Sequence, residues 1–131
     1  MRYAYPAIFT PEDNGMYSVY FPDLEGCYTA GDDIADAIYM AEDVLAFTLY
    51  AYERDKRPIP EASVSSAFAL NEGEFVNLIM CDTLQYQKRN NNKAVKKTLS
   101  IPEWLNEAAA AADVNFSQVL QDALKEKLGV N

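Results

Sequence analysis

The sequence VKKTLSIPEWLNEAAAAADVNFSQVLQDALKEKLGV, residues 95–130, indicates a strand followed by two helices. Except at Lys97, apolar and polar side chains alternate over its first seven residues, and a strand places alternating side chains on opposite faces. The apolar face carries Val95, Leu99 and Ile101, and the donor face carries Lys96, Thr98 and Ser100. The stretch therefore predicts a strand with one face for burial and one face that donates hydrogen bonds.

Two helices are predicted after this strand. Pro102 suits the first turn of a helix, where its missing N–H is not needed. An apolar stripe at helical spacing follows: Trp104, Leu105, Ala108, Ala111 and Ala112. The pattern breaks at Asp113, and Asn115 is expected to cap a second helix, with Gln118 reaching back to it. Gly129 is expected to end that helix.

A strand and two helices in fewer than forty residues bury too little apolar surface to be stable alone. The apolar faces therefore predict a second copy of the chain, with the two strands paired antiparallel across a twofold axis. Such a two-stranded ribbon fits the major groove of B-DNA, where its donor face meets base edges. The N-terminus of the second helix would offer free backbone N–H groups to a DNA phosphate.

Residues Lys96 to Leu128 resemble the ribbon-helix-helix family of dimeric repressors, and the segments KTLSIP and VNFSQVLQDAL carry the likeness. The resemblance implies a base-contacting set of Lys96, Thr98 and Ser100. The phosphate-contacting set that we expect consists of Asn115, Phe116 through its N–H, and Ser117, with the basic Lys93 and Lys97. Ser100 has a second interpretation, because Ser100 and Glu103 also have the spacing of a capping box for the first helix.

The charge of the 131-residue chain is uneven. Residues 1–87 carry four basic and fifteen acidic side chains, a net charge of −11, and residues 88–131 carry seven basic and five acidic ones, a net charge of +2. Five basic residues and no acidic residue lie between Lys88 and Pro102. DNA would repel most of this chain, so a nucleic-acid contact is expected in that basic segment. The acidic part predicts a basic partner.

Several other classes of protein are not expected. No apolar run is long enough to cross a membrane, and the first residues lack the apolar core of a signal peptide. The two cysteines, Cys27 and Cys81, have no metal-ligand spacing, and the chain has no histidine. A cytoplasmic protein with reduced thiols, no cofactor and no metal is therefore expected. Half of the residues are apolar, which favours a packed fold over disorder.

The first part of the chain predicts an α+β fold: a small antiparallel sheet with one long helix. Strands are expected at Tyr3–Phe9, Met16–Phe21, Cys27–Ala30 and Phe75–Cys81, with a weaker one at Ser66–Leu70. Asn14-Gly15 is a strong hairpin signal, and Pro6 is tolerated only if its N–H side faces an edge. The helix is expected to start at Asp33 with Asp36 as its N3 partner, and to bury Ile34, Ile38, Ala41, Leu45, Leu49 and Tyr52. Residues 86–94 lose the apolar pattern and are expected to form a linker.

Residues 3–80 resemble the HicB family of antitoxins. The likeness is carried by YPAIF at 5–9, GMYSVYFPDLEGCYTAGDD at 15–33, three helix residues (Ala37, Ala41 and Leu45) and Ile59-Pro60. Glu25 stands where the family often has proline. The resemblance implies a truncated ribonuclease H-like sheet in residues 1–85 that binds the HicA toxin, a small basic ribonuclease that cleaves mRNA. Residues 95–131 would then form the ribbon-helix-helix domain.

The two resemblances together imply a type II antitoxin that neutralises its toxin and represses its own operon. Homodimers are expected through the C-terminal domain, and two dimers could join through the N-terminal domains into a tetramer. The expected toxin contact is the loop of Asp23, Leu24 and Glu25, which is expected to be exposed, together with Tyr28. An alternative function is a stand-alone ribbon-helix-helix repressor whose N-terminal domain oligomerises or binds another partner.

A third alternative is a metal-dependent nuclease that uses the carboxylates Asp23, Glu25, Asp32 and Asp33. Two-metal chemistry needs carboxylates that converge from different elements. Asp33 is better explained as a helix cap and Asp32 as a turn residue, and no acidic residue lies inside the first two strands. Without histidine, a Ser–His or Cys–His nucleophile is also impossible. An enzyme is therefore not expected.

Overall fold

The computed structural model describes all 131 residues, and the chain divides into two compact units, Met1–Lys93 and Ala94–Asn131. The elements of unit 1 are β1 (Arg2–Pro11), β2 (Tyr17–Tyr20), β3 (Tyr28–Gly31), α1 (Ile34–Arg54), β4 (Phe75–Asp82) and α2 (Thr83–Asn90). The elements of unit 2 are α3 (Glu103–Ala111) and α4 (Phe116–Leu128). None of these helices combines the length and the apolar character that crossing a membrane requires.

Unit 1 is an antiparallel sheet in the order β3-β2-β1-β4, covered on one face by α1. This confirms the predicted small sheet with one long helix. Alternate residues of β1, Tyr5, Ala7 and Phe9, are buried in the core between the sheet and α1. Phe9 lies opposite Val19 of β2 and opposite Phe75 of β4, so three strands meet at its ring.

The hairpin between β1 and β2 turns at Asn14 and Gly15, as the sequence predicts. Both residues have positive φ, 63° and 77°, as a type I′ turn requires. Met16 N–H donates to the Asp13 carbonyl at 3.3 Å and closes the turn. β1 is an interior strand, but its pairing with β2 begins only at Ile8. Pro6 therefore has a paired strand on one side only, which is β4.

The weak strand predicted at Ser66–Leu70 is wrong. A single 3₁₀ turn occupies Ser65–Ala67, and Ala67 N–H donates to the Val64 carbonyl at 3.0 Å. The large apolar side chains of this segment do not belong to the core, since Leu70 is 41% exposed and Phe68 is only half-buried. The other strands differ from prediction by one or two residues at their ends, and Cys27 precedes β3 instead of opening it.

Asp33 caps α1 as predicted, because its Oδ1 accepts a hydrogen bond from Asp36 N–H at 2.7 Å. The reciprocal bond expected from Asp36 goes elsewhere: its Oδ2 accepts from Asp32 N–H at 2.8 Å. The Asp36 carboxylate therefore accepts from the backbone N–H of Asp32, one residue before the cap residue Asp33. It ties the end of the β3–α1 loop to the first turn of the helix.

The buried face of α1 consists of Ala37, Ala41, Leu45, Ala46, Leu49 and Tyr52. One predicted member is wrong, since Ile34 is exposed, whereas Ile38 is half-buried and packs against the core. The cause is the close approach of α1 to β3: a Cβ added to Gly31 would lie 2.2 Å from the Ala37 backbone nitrogen. At that separation only small side chains fit between helix and strand.

Residues 86–90, expected in the linker, belong to α2 instead. Asp82 caps this helix by accepting a hydrogen bond from Leu84 N–H at 3.0 Å. The Tyr86 ring packs on Tyr50 and Phe47 of α1, with ring centroids 5.6 and 6.4 Å apart. Leu84 and Tyr86 are the only large apolar side chains among the eight residues of α2, so the sequence shows no periodic apolar pattern there and the helix was missed.

Candidate nucleic-acid interface and partner surface

At the start of α4, one side chain caps the helix and two backbone N–H groups have no hydrogen-bond partner. Asn115 Oδ1 accepts a hydrogen bond from Gln118 N–H at 3.0 Å, which confirms the predicted cap. The Gln118 side chain does not reach back, because it donates to Asp122 at 2.9 Å, so that half of the capping box is wrong. The N–H groups of Phe116 and Ser117 make no hydrogen bond within the chain. An anion is favoured at such a helix N-terminus.

The other helix ends of unit 2 follow the sequence in part. Pro102 is the N-cap of α3 and no side chain caps it, so the capping-box interpretation of Ser100 is wrong. The chain turns between the helices at Asp113, which has a φ of 57°. Gly129 ends α4 in the left-handed conformation with a φ of 70°, and Val130 N–H donates to the Lys125 carbonyl at 2.9 Å.

Residues 91–102, which precede α3, have no regular secondary structure and are all exposed. The strand predicted at Val95–Ile101 is therefore absent from the single chain. A strand needs a neighbour that satisfies its backbone N–H and C=O groups, and the predicted neighbour is the same segment of another copy. The residues expected to contact bases and phosphates here are exposed: Lys93, Lys96, Lys97, Thr98 and Ser100.

Unit 2 has no core of its own, since no residue from 94 to 131 is buried. Its large exposed apolar side chains are Val95, Leu99, Ile101, Trp104, Leu105, Phe116, Val119, Leu124 and Leu128. The exposed fraction reaches 69% for Trp104, a residue that is usually well buried. So many exposed large apolar side chains in so short a segment are typical of a surface that another molecule covers.

The loop expected to contact the toxin is only partly exposed. Leu24 is fully buried, so its expected exposure is wrong, and its N–H donates to the Phe21 carbonyl at 3.2 Å in a tight loop. Asp23 accepts hydrogen bonds from both the N–H and the hydroxyl of Ser63, at 2.9 and 2.5 Å. Glu25 and Tyr28 are exposed. An apolar residue in an otherwise polar loop was the signal that Leu24 points inward.

The carboxylates considered for a nuclease do not form a metal site. Asp33 caps α1 and Asp23 binds Ser63. No group of three or more Asp, Glu or Cys side chains in the structure is placed to hold a metal ion. Cys27 and Cys81 are buried free thiols, and burial raises the pKa of both, to about 12 for Cys81. They are small core residues, as predicted.

One exposed feature was missed in the sequence. Phe75–Cys81 was interpreted as an apolar strand that joins the sheet, yet only Ile79 and Cys81 of β4 are buried. Leu78 and Met80, on the opposite face, are 59% and 62% exposed. The unbroken apolar run of residues 78–81 suits a strand that is covered on both faces, so this run was the signal.

Comparison with known proteins identifies the chain. Residues 5–124 match the model of the HicB-like antitoxin of the bacterial toxin–antitoxin system. This match covers most of the chain and places it among the antitoxins, which are regulators and not enzymes. The chain belongs to the HicB-like antitoxin family.

Individual relatives agree with this family. Antitoxin HicB 1 of Photorhabdus laumondii is 40% identical over 58 residues, which are 43% of this chain and 37% of the relative, so the match spans well under half of that relative. A toxin–antitoxin complex from Streptococcus pneumoniae contains a chain with 28% identity and a TM-score of 0.64, and the match covers 97% of this chain and 99% of that one. A HicA3 and HicB3 toxin–antitoxin complex matches at 26% identity with a TM-score of 0.50, over 61% of this chain and 99% of that chain.

Proposed function

We propose that this antitoxin has two separable activities. Unit 1 binds and neutralises a HicA-like mRNA-cleaving toxin, and unit 2 dimerises as a ribbon-helix-helix domain that represses the chain's own operon. The observation that carries the second activity is that unit 2 buries no residue although it bears nine large apolar side chains. Pairing with a second copy would cover this surface.

The DNA-binding half of the proposal rests on how the exposed residues would be arranged in such a dimer. Antiparallel pairing of two copies of residues 95–101 would turn Val95, Leu99 and Ile101 toward the helices. Lys96, Thr98 and Ser100 would then face outward from both strands, where donors can meet base edges in the major groove. The basic segment before Pro102 has no acidic residue to oppose this approach.

Phosphate contacts would fix the ribbon in the groove. The free N–H groups of Phe116 and Ser117 at the start of α4 are suited to one phosphate oxygen each, with Asn115 holding the helix start in place. Lys93 and Lys97 are exposed, and their charges would attract the DNA phosphate backbone whatever the DNA sequence. Such contacts position a protein on DNA without selecting its sequence.

The toxin-binding half of the proposal rests on charge and on relatives. The net charge of −11 in residues 1–87 would attract a basic RNA-binding surface and compete with RNA for it. Similar chains are found in a Streptococcus pneumoniae toxin–antitoxin complex and in a HicA3 and HicB3 complex. On the expected contact surface, Glu25 and Tyr28 are free to bind a partner. Asp23 is already bonded to Ser63, and Leu24 is withdrawn into the core.

The combined substitution of Lys96→Ala and Thr98→Ala tests the division of labour. Because both side chains are exposed and unbonded, the fold should survive, and binding to the operon's promoter DNA should fall at least about a hundredfold, since each base contact contributes about 1–3 kcal/mol. Fluorescence anisotropy with labelled promoter DNA measures this loss. Toxin neutralisation by the same variant should be unchanged.

Two controls make this test specific. Lys125→Ala with Lys127→Ala removes two exposed charges from the other end of α4 and should weaken DNA binding only slightly. Wild-type affinity should fall steeply with added salt, because phosphate contacts release counterions. Loss of toxin neutralisation by the folded Lys96 and Thr98 variant would show that the two activities are not separable.

A further inference from the structure

A short polar segment, Asn91-Asn92-Lys93-Ala94, joins the end of α2 to residues 95–101, the strand of the proposed ribbon. We call this segment the arm; its residues are exposed and have no regular secondary structure. The Asn91 N–H donates to the Gln87 carbonyl at 2.8 Å and ends α2. The side-chain amides of Asn91 and Asn92 make no hydrogen bond within the chain. Each amide therefore offers two donors and an acceptor to another molecule.

The charge around the arm favours DNA over a basic protein. Arg89 in the last turn of α2 is exposed, and the exposed Lys93 and Lys96 follow the two asparagines. No acidic residue lies between Lys88 and Pro102, so no carboxylate of this segment competes with a phosphate for these cations. A basic toxin would be repelled here, whereas the phosphate backbone of DNA would be attracted.

The arm is long enough to leave the groove that the ribbon would occupy. An extended chain advances about 3.3 Å per residue, so the four residues of the arm span about 13 Å. The major groove of B-DNA is about 12 Å wide and the minor groove about 6 Å. An arm that begins at Val95, the end of the ribbon strand, can therefore cross one phosphate backbone and reach the adjoining minor groove.

The side chains of the arm suit the minor groove of A·T base pairs. These pairs present only acceptors there, adenine N3 and thymine O2, whereas a G·C pair adds the guanine amino group, which is a donor. The amide NH2 of an asparagine can donate to the two acceptors, and the guanine amino group would block this approach. The minor groove is also narrowest, and its potential most negative, along runs of A·T pairs, which favours the charge of Lys93.

We propose that the arm of each chain enters the minor groove beside the site of the ribbon, where Asn91 and Asn92 donate hydrogen bonds to A·T base pairs. Lys93 lies against the phosphates at the wall of this groove. The inference rests on the proposed DNA-binding function of unit 2, and it adds a preference for A·T pairs at positions that the ribbon does not touch. Because the proposed dimer is twofold symmetric, the two arms extend the site equally on both sides.

Promoter DNA with altered flanks tests this contact. Footprinting with the wild-type chain locates the base pairs that flank the ribbon site, and these pairs are then made all A·T, all G·C or all inosine·cytosine. An inosine·cytosine pair resembles G·C in the major groove but lacks the amino group in the minor groove. The wild-type chain should bind the A·T and inosine·cytosine flanks alike, and the G·C flanks about tenfold more weakly. Fluorescence anisotropy with the three labelled DNAs measures these affinities.

Three variants separate the asparagine contacts from general attraction to DNA. The double substitution Asn91→Ala with Asn92→Ala should bind all three DNAs about as weakly as the wild type binds the G·C flanks. Lys93→Ala should weaken binding to all three by the same factor, because a phosphate contact carries no sequence information. The matched control is Asn90→Ala, which should keep the wild-type preference, since the Asn90 amide already donates to the Tyr86 carbonyl at 3.0 Å.

The outcomes distinguish a failure of this inference from a failure of the proposed function. Equal wild-type affinity for the three DNAs would overturn the inference alone, and so would an unchanged flank preference in the Asn91 and Asn92 variant. Inosine·cytosine flanks that bind as weakly as G·C flanks would place the contact in the major groove and also overturn it. A wild-type chain that binds none of the three DNAs would overturn the proposed DNA-binding function, and this inference with it.

Discussion

Single polar side chains begin three of the four α-helices. Asp33, Asp82 and Asn115 each accept a hydrogen bond from a backbone N–H two or three residues further on. Asp33 and Asn115 could be predicted because capping depends only on neighbouring residues. Asp82 was missed because it is the last residue of an apolar strand and no turn residue separates that strand from α2.

The cap of α4 can be separated from its proposed phosphate contact by the substitution Asn115→Asp. Aspartate caps helices about as well as asparagine, so the free energy of unfolding should change by less than about 0.5 kcal/mol. The added carboxylate would repel a phosphate at the free N–H groups of Phe116 and Ser117. Affinity for promoter DNA should therefore fall about tenfold, which corresponds to about 1.4 kcal/mol.

Anisotropy titration of promoter DNA and urea unfolding measure the two effects of Asn115→Asp. The reverse exchange at the α1 cap, Asp33→Asn, is the matched control and should leave DNA affinity unchanged. If Asn115→Asp binds promoter DNA as tightly as the wild type, the start of α4 does not contact a phosphate.

The elements that follow from local pattern were predicted, and the elements that depend on distant partners were not. The hairpin at Asn14-Gly15, the long helix after Asp33 and the apolar strand β4 each have a signal within a few residues. The strand predicted at Val95–Ile101 would need a partner strand, and the single chain has no strand at these residues. The burial of Leu24 depends on the shape of its loop, and α2 depends on packing against α1.

The packing of α1 on β3 depends on the absence of a side chain at Gly31. In Gly31→Ala the new methyl group would meet the backbone of α1 at 2.2 to 2.7 Å, and a backbone cannot move aside as a flexible side chain can. The helix would have to shift, so we expect a loss of about 2 kcal/mol or more in the free energy of unfolding. Urea unfolding followed by circular dichroism measures this loss.

Gly15→Ala is the control for Gly31→Ala. A methyl group at Gly15 meets nothing within 4 Å. Gly15→Ala should therefore lower the free energy of unfolding by only about 1 kcal/mol, because alanine at this position would have to adopt the positive φ of 77°. A Gly31→Ala variant that loses no more stability than Gly15→Ala would show that α1 tolerates a larger separation from β3. The helix position would then not account for the exposure of Ile34.

At the scale of the whole molecule, the two units differ in how complete they are. Unit 1 has a continuous core that includes Phe9, Val19, Leu45, Leu49 and Ile79. Unit 2 has two well-terminated helices but buries no residue. Charge separates them as well, with the acidic residues concentrated before residue 88 and the basic segment after it. This division fits a protein that binds a basic toxin with one unit and DNA with the other.

The most direct test of this account is the intact mass of the tagged chain purified from its native operon without denaturant. The account predicts a small basic protein in fixed ratio with the wild-type chain, and the same ratio with the Lys96→Ala and Thr98→Ala variant. It also predicts that the isolated basic protein cleaves mRNA and that the purified chain stops this cleavage. A wild-type chain that purifies with no such protein would contradict the assignment of unit 1 to toxin binding.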